Sequence, residues 1–170
     1  LGRLMSLAMQ RVLGRTSAPA RVLYNRVPRL WNVAFSLLRL DASLEIPTSL
    51  NLLVKTHLAM LNGCDFCQDI ARAMAVREKV GLERFDALHR WRESDVFDDG
   101  ERAALAYAEA VNERRVDDAV FEELRKHWNE RAIVEITVCC AVENYYNTLN
   151  LALDIHDEGL EGLARESRAA

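Results

Sequence analysis

Residues that interrupt regular structure are scarce in this chain, with only 7 Gly and 3 Pro among 170 residues. A sheet protein of this size draws on those two types at turn after turn, so their scarcity argues against many short strands. Ala, Leu, Arg and Glu recur instead, and these favour helices. Long apolar runs are also missing. The best charge-free stretches, Leu30 to Leu38 and Ile46 to Val54, are about half of the roughly 18 to 20 residues that span a bilayer. The opening Leu1-Gly2-Arg3-Leu4-Met5 supplies neither the apolar centre nor the cleavage site of a secretory leader. The expectation is a soluble, cytoplasmic, all-α protein with one core.

Acids are absent from the first 40 residues, which hold Arg3, Arg11, Arg15, Arg21, Arg26, Arg29 and Arg39. That segment is +7, so the remainder of a chain of net charge −4 carries −4 − 7 = −11. The overall acidity speaks against nucleic acid as a partner. The basic segment suits an anionic membrane surface or an acidic patch on its own chain or a neighbouring subunit, and packing is favoured, because most apolar helical faces are core. The chain divides into a basic helical extension (1–44), a helical domain (45–156) and a C-terminal tail (157–170) expected to fray.

The apolar periodicity predicts helices over Leu4 to Leu13, Pro47 to Leu61, Cys64 to Val80, Leu82 to Trp91, Glu101 to Asn112, Ala119 to His127 and Glu130 to about Asp154. Pro19, Pro28 and Pro47 suit early helical positions, where a missing N–H costs nothing. Val116-Asp117-Asp118 offers a cap for the helix from Ala119, and Asn129 reads as the cap of the last long helix. The last long helix, with IVEITVCCAV apolar on nearly all sides, is expected to form the buried centre.

Four cysteines are too few and too clustered for a disulfide scaffold. Cys64 and Cys67 form a C-x-x-C directly after Asn62-Gly63, a pair that closes one helix and lets the next begin. Cysteines at i and i+3 share a helical face, close enough for a disulfide once the first turn adjusts. Free N–H groups at a helix start stabilise a thiolate. The alternatives are a zinc half-site and two structural cysteines. Zinc asks for four ligands, and the other sulfurs, Cys139 and Cys140, sit adjacent in an apolar helix where their side chains diverge by about 100°. Cys139 and Cys140 read as buried structural thiols.

The stretch Leu61-Asn62-Gly63-Cys64-Asp65-Phe66-Cys67-Gln68-Asp69-Ile70, followed by Glu101 to Ala108, Ile133 to Thr137 and Tyr146 to Asn150, resembles the alkylhydroperoxidase D / carboxymuconolactone decarboxylase family. The resemblance covers roughly 45–155. It implies an all-helical bundle of about seven to nine helices that assembles into homo-oligomers. It also implies a cysteine pair that reduces a hydroperoxide or a disulfide substrate and is recycled by a dithiol or thioredoxin-like reductant, with no cofactor and no metal. By this resemblance Cys67 attacks the peroxide and Cys64 resolves the product, although helix-terminus electrostatics favour Cys64 as the thiolate.

The departures from that family are specific. Its motif places a His four residues after the second Cys and a Glu twelve before the first, where this chain has Ala71 and Leu52. Neither moves a proton, so a weak peroxidase is expected. His57 is the candidate replacement, and Gln68, Tyr107, Glu109 and Glu143 are further polar or ionisable residues nearby in sequence or on other predicted helices. Asn144, Asn147 and Asn150 form a stripe that reads as inter-helix or inter-subunit hydrogen bonding in preference to substrate binding. Three functions follow: a thiol oxidoreductase of the peroxidase type, a non-catalytic oligomeric redox sensor or partner-binding protein, and a lyase acting on a lactone acid. The retained C-x-x-C favours the first.

Overall fold

The computed structural model describes residues 17–169, among which every regular element is helical. A π-helical turn, Ala20–Tyr24, leads to α1 (Leu30–Asp41), α2 (Thr48–Asn62), α3 (Asp65–Arg77), α4 (Glu83–Ala87) and a 3₁₀ turn, Leu88–Arg90. Then come α5 (Asp99–Asn112), α6 (Asp118–His127), α7 (Glu130–Ala152) and α8 (Leu160–Ala169). The helix expected over Leu4 to Leu13 lies outside the described residues.

Capping chemistry explains most of the boundaries. Asp98 and Glu101 form a reciprocal capping box at α5. Asp117 accepts from Val120 N and Asn129 from Ala132 N, starting α6 and α7 where the sequence placed them. Pro47 precedes α2, whose first turn has no use for its missing N–H. The stretch 82–91 is split between α4 and the 3₁₀ turn.

The buried centre is α2, not the last long helix. Leu50, Val54 and Leu58 pack on Ala104 and Ala108 of α5, Leu124 of α6, and Ile133, Ile136, Cys139 and Cys140 of α7. On its other side, Leu52 and Leu53 meet Ala75, Phe85, Leu88, Trp91, Phe97 and Leu105. Sequence reading favoured α7 because its N-terminal half is apolar all round. In the fold that helix lies against one side of α2 and leaves Val134 61% exposed. Hydrophobicity shows that a helix is able to be buried, whereas the number of neighbours it has is set by the tertiary arrangement.

The C-terminal segment is likewise ordered where fraying was expected. Both carboxylate oxygens of Asp69, on α3, accept from the backbone N–H groups of Glu158, Leu160 and Glu161 at 2.8 to 3.0 Å. They cap α8 from another helix. Leu160 and Ala164 are buried beside Phe66, Ala73 and Val76. A cap donated from 89 to 92 residues away has no local signature. The start of the described chain docks here too, with Ala18 N donating to Glu158 Oε2 at 2.9 Å and Arg21 paired to Glu158.

Candidate redox site at the start of α3

Gly63 closes α2 in the left-handed conformation, φ 72°, and Cys64 N reaches back to Ala59 O at 2.8 Å. A residue with a Cβ is strained at such a φ, so Gly is the natural choice at this corner. Cys64 is therefore the N-cap of α3, and its sulfur accepts from Cys67 N at 3.3 Å. Cys64 and Cys67 form a disulfide across a Cα separation of 5.3 Å. Both are buried, against Ala59 of α2 and Tyr146 of α7. Cys139 and Cys140 are free and buried elsewhere in the core. Burial pushes both thiols up, Cys140 to about 12, so they stay protonated.

The polar groups around the disulfide come from α7. Asn150 Nδ2 donates to Cys67 Sγ at 3.3 Å and lies 4.0 Å from Cys64 Sγ. A donor aimed at sulfur favours the thiolate after the disulfide is reduced. Asn147 and Glu143 occupy the preceding turns of the same face, 2% and 6% exposed respectively. Both amide atoms of Asn147 and Oε1 of Glu143 are buried without a hydrogen-bond partner among the described residues. Burial pushes the Glu143 carboxyl up to about 8, against a pull downward from Lys55 and with a push upward from Asp41. Asn144 has a different task, accepting from Asn62 Nδ2 at 2.9 Å. The asparagine stripe thus supplies one inter-helix bond, one sulfur ligand and one unpartnered amide.

His57 is directed elsewhere. It lies two residues before Ala59, a rotation of about 200°, so it leaves α2 on the side away from the sulfurs. There His57 Nε2 and Glu109 Oε1 are 2.9 Å apart, and Trp91 Nε1 donates to the same oxygen at 3.1 Å. Arg92 pairs with Glu109 and stacks over the Trp91 ring. Burial pushes the imidazole down, outweighing the carboxylate beside it. Burial also pushes Glu109 up, but the bonds from Arg92, Trp91 and His57 outweigh it and hold the carboxylate below its usual range. His57 hydrogen-bonds to neither cysteine, and Glu109 is committed to the same cluster. Tyr107 bonds to Thr137 at 2.8 Å. Leu52 and Ala71, where the resembled family has its Glu and His, are both buried. Glu143 was one of several ionisable residues in the sequence. The signal that could have singled it out is its spacing from Asn147 and Asn150 on a face that also carries Cys139.

Among the described residues no group of three or more His, Cys, Asp and Glu is arranged to hold a metal ion. No helix there is long and apolar enough to cross a membrane.

Known proteins align with this architecture. Over 111 residues the chain is 39% identical to the uncharacterized protein YnjA of Escherichia coli (strain K12), a match covering 64% of this chain. The chain spans only 60% of the length of that relative. Its fold is similar to the solved structure of ATU0492 from Agrobacterium tumefaciens, a protein of unknown function described as a putative antioxidant defence protein AhpD. That likeness has TM-score 0.75 and 26% identity, covering 79% of this chain and 94% of that one. It is also similar to the debrominase Bmp8, with TM-score 0.79 and 26% identity, covering 96% of this chain and 89% of that one. The family model of the carboxymuconolactone decarboxylases matches residues 24–110, a span that carries α1, α2, the cysteine pair and most of α5, and the chain belongs to that family.

Proposed function

We propose that Cys64 and Cys67 are a reversible redox pair that reduces a hydroperoxide and is recycled by a dithiol or a thioredoxin-like protein. The observation that carries this reading is the Asn150 amide directed at Cys67 Sγ, in a site where both sulfurs already lie within bonding distance. The Cys67 thiolate attacks the distal peroxide oxygen. An S–O bond forms, the O–O bond breaks, and the alkoxide takes a proton to leave as an alcohol. Cys64 then attacks the Cys67 sulfenic acid, forming S–S and releasing the oxygen as water. Two thiols and one hydroperoxide become one disulfide, one alcohol and one water.

The test follows cumene hydroperoxide consumption with dithiothreitol as reductant. Turnover is expected in the wild type and none in Cys67→Ser. In Cys64→Ser a sulfenic acid should accumulate at Cys67, readable by dimedone labelling and mass spectrometry. A protein that forms its disulfide without producing alcohol turnover is a redox sensor, and the enzymatic reading is then wrong. A cytoplasmic setting suits this cycle, because dithiol reductants are kept there.

A second reading has support from the likeness to Bmp8, a debrominase with a structure in complex with 2,3,4-tribromopyrrole. The same two electrons suit a bromoarene: two thiols and one C–Br bond become a disulfide, a C–H bond and HBr. Bromide release from 2,3,4-tribromopyrrole under the same reductant separates the two oxidants.

A further inference from the structure

Along one edge of the largely apolar contact between α2 and α7, polar side chains are spaced from the Asp41–Lys55 pair to the disulfide. Asn51 accepts from the Cys139 thiol at 3.0 Å and donates to Asp41 Oδ1 at 2.9 Å. Lys55 pairs with the same Asp41 oxygen. Ala59, the next residue on that face of α2, packs against the cysteine pair, as does Tyr146. Along α7 the matching positions are Cys139, Glu143, Asn147 and Asn150, ending on Cys67 Sγ. The two helices therefore run in the same sense along the seam. Glu143 lies between the Asp41–Lys55 pair and the sulfurs.

Three of the atoms on this path, Glu143 Oε1 and both amide atoms of Asn147, are buried and unpartnered among the described residues. Buried polar atoms in that condition take up water or a ligand group, because left bare they lose the hydrogen bonds they made in solvent. From Glu143 to Asn150 is seven residues, roughly 10 Å along the helix axis. Asn147 sits midway with one free donor and one free acceptor, the pair needed to hand a proton along a water chain.

We propose that Glu143 is the proton-holding positioning residue of the Cys64–Cys67 site, exchanging protons with the sulfur chemistry through Asn147 and buried water. This rests on the redox reading above. Disulfide formation from two thiols releases two protons, and the departing alkoxide and hydroxide each need one. A single carboxyl that gives up a proton and regains it serves both steps. The other ionisable groups facing Glu143 are Asp41 and Lys55, which pair with each other, and Cys139, Cys140 and Tyr146 on its own helix. Burial pushes all three of the latter up, so none of them yields a proton near neutral pH. Glu143, pushed up only to about 8, is the one that is neutral yet able to ionise.

The test uses the full chain and compares wild type with Glu143→Gln, which keeps the shape and removes the titration. Cumene hydroperoxide turnover in the wild type is expected to fall as pH rises through about 8, where Glu143 loses its proton. In Glu143→Gln that limb disappears, and turnover at neutral pH drops by about tenfold or more. Alkylation of reduced Cys67 by iodoacetamide needs no donated proton and stays within about twofold, as a purely structural defect would not allow. Asn147→Leu, which interrupts the path without touching the carboxyl, is expected to match Glu143→Gln, and it stands in if the glutamine variant fails to fold. A variant with wild-type rate and wild-type pH profile overturns the proposal. If the wild type consumes no hydroperoxide at all, the redox reading fails, and the proposal is then judged by infrared difference spectroscopy. Reducing the disulfide must shift the carboxylic acid C=O band that Glu143→Gln removes, and an unshifted band overturns it.

Discussion

Asn150 links the two halves of the site, because it is the α7 side chain that bonds to sulfur. A hydrogen bond to a charged group contributes about 1.5–3 kcal/mol. Removing it from a thiolate therefore costs roughly tenfold or more in thiolate population at a given pH. Asn150→Ala is expected to slow iodoacetamide alkylation of reduced Cys67 by about that factor near neutral pH, with the rate recovering as pH is raised. A variant that alkylates as fast as the wild type would show that the amide serves packing alone. His57 is the contrasting case. The sequence offered it because it lies on the helix before the cysteines, yet a rotation of about 200° from Ala59 carries it to Glu109 and Trp91.

Helix α8 depends on a cap that belongs to another helix. Its first N–H groups end on Asp69, in the middle of α3, where α8 would otherwise have no acceptor for them. Asp69→Ala is expected to cost about 1–2 kcal/mol, the scale of a lost N-cap. It should also release the C-terminal segment before the rest of the fold, seen as hydrogen exchange that quickens in 158–166 while α2 stays protected. Uniform loosening of both segments would mean that Asp69 supports the whole bundle. The cysteine pair is close enough to feel the change, since Phe66 packs on the same apolar cluster as Leu160 and Ala164.

At the scale of the whole molecule, the described residues present exposed apolar side chains. Helix α1 stacks Trp31 on Tyr24 at 4.4 Å but exposes Val33, Leu38 and Leu40, and the Trp31 Nε1 group is buried without a partner among the described residues. On α7, Val134 and Leu151 are exposed as well. Patches of this kind mark association surfaces, and closed homo-oligomers are the common outcome. Light scattering at micromolar concentration is expected to give a multiple of 19.3 kDa. Leu38→Glu should shift the population toward monomer by placing an unpaired charge in the contact. A wild-type monomer would leave these faces as ordinary surface.

Local chemistry accounts for what could be read in advance. The helix class, the Gly63 break, the Cys64 start of α3, the capping stretch Val116-Asp117-Asp118 and the Asn129 cap all depend on neighbours within a few residues, so composition and spacing carry them. The shared face of Cys64 and Cys67 follows from helical geometry in the same way. The burial of α2 in place of α7, the capping of α8 by Asp69, the pairing of His57 with Glu109 and the meeting of the Glu143–Asn147–Asn150 face with Cys67 all join residues far apart in the chain. Those relations rest on how helices rotate and pack against one another. A one-dimensional pattern fixes which face of a helix is polar, whereas the partner that face meets is decided by the folded arrangement.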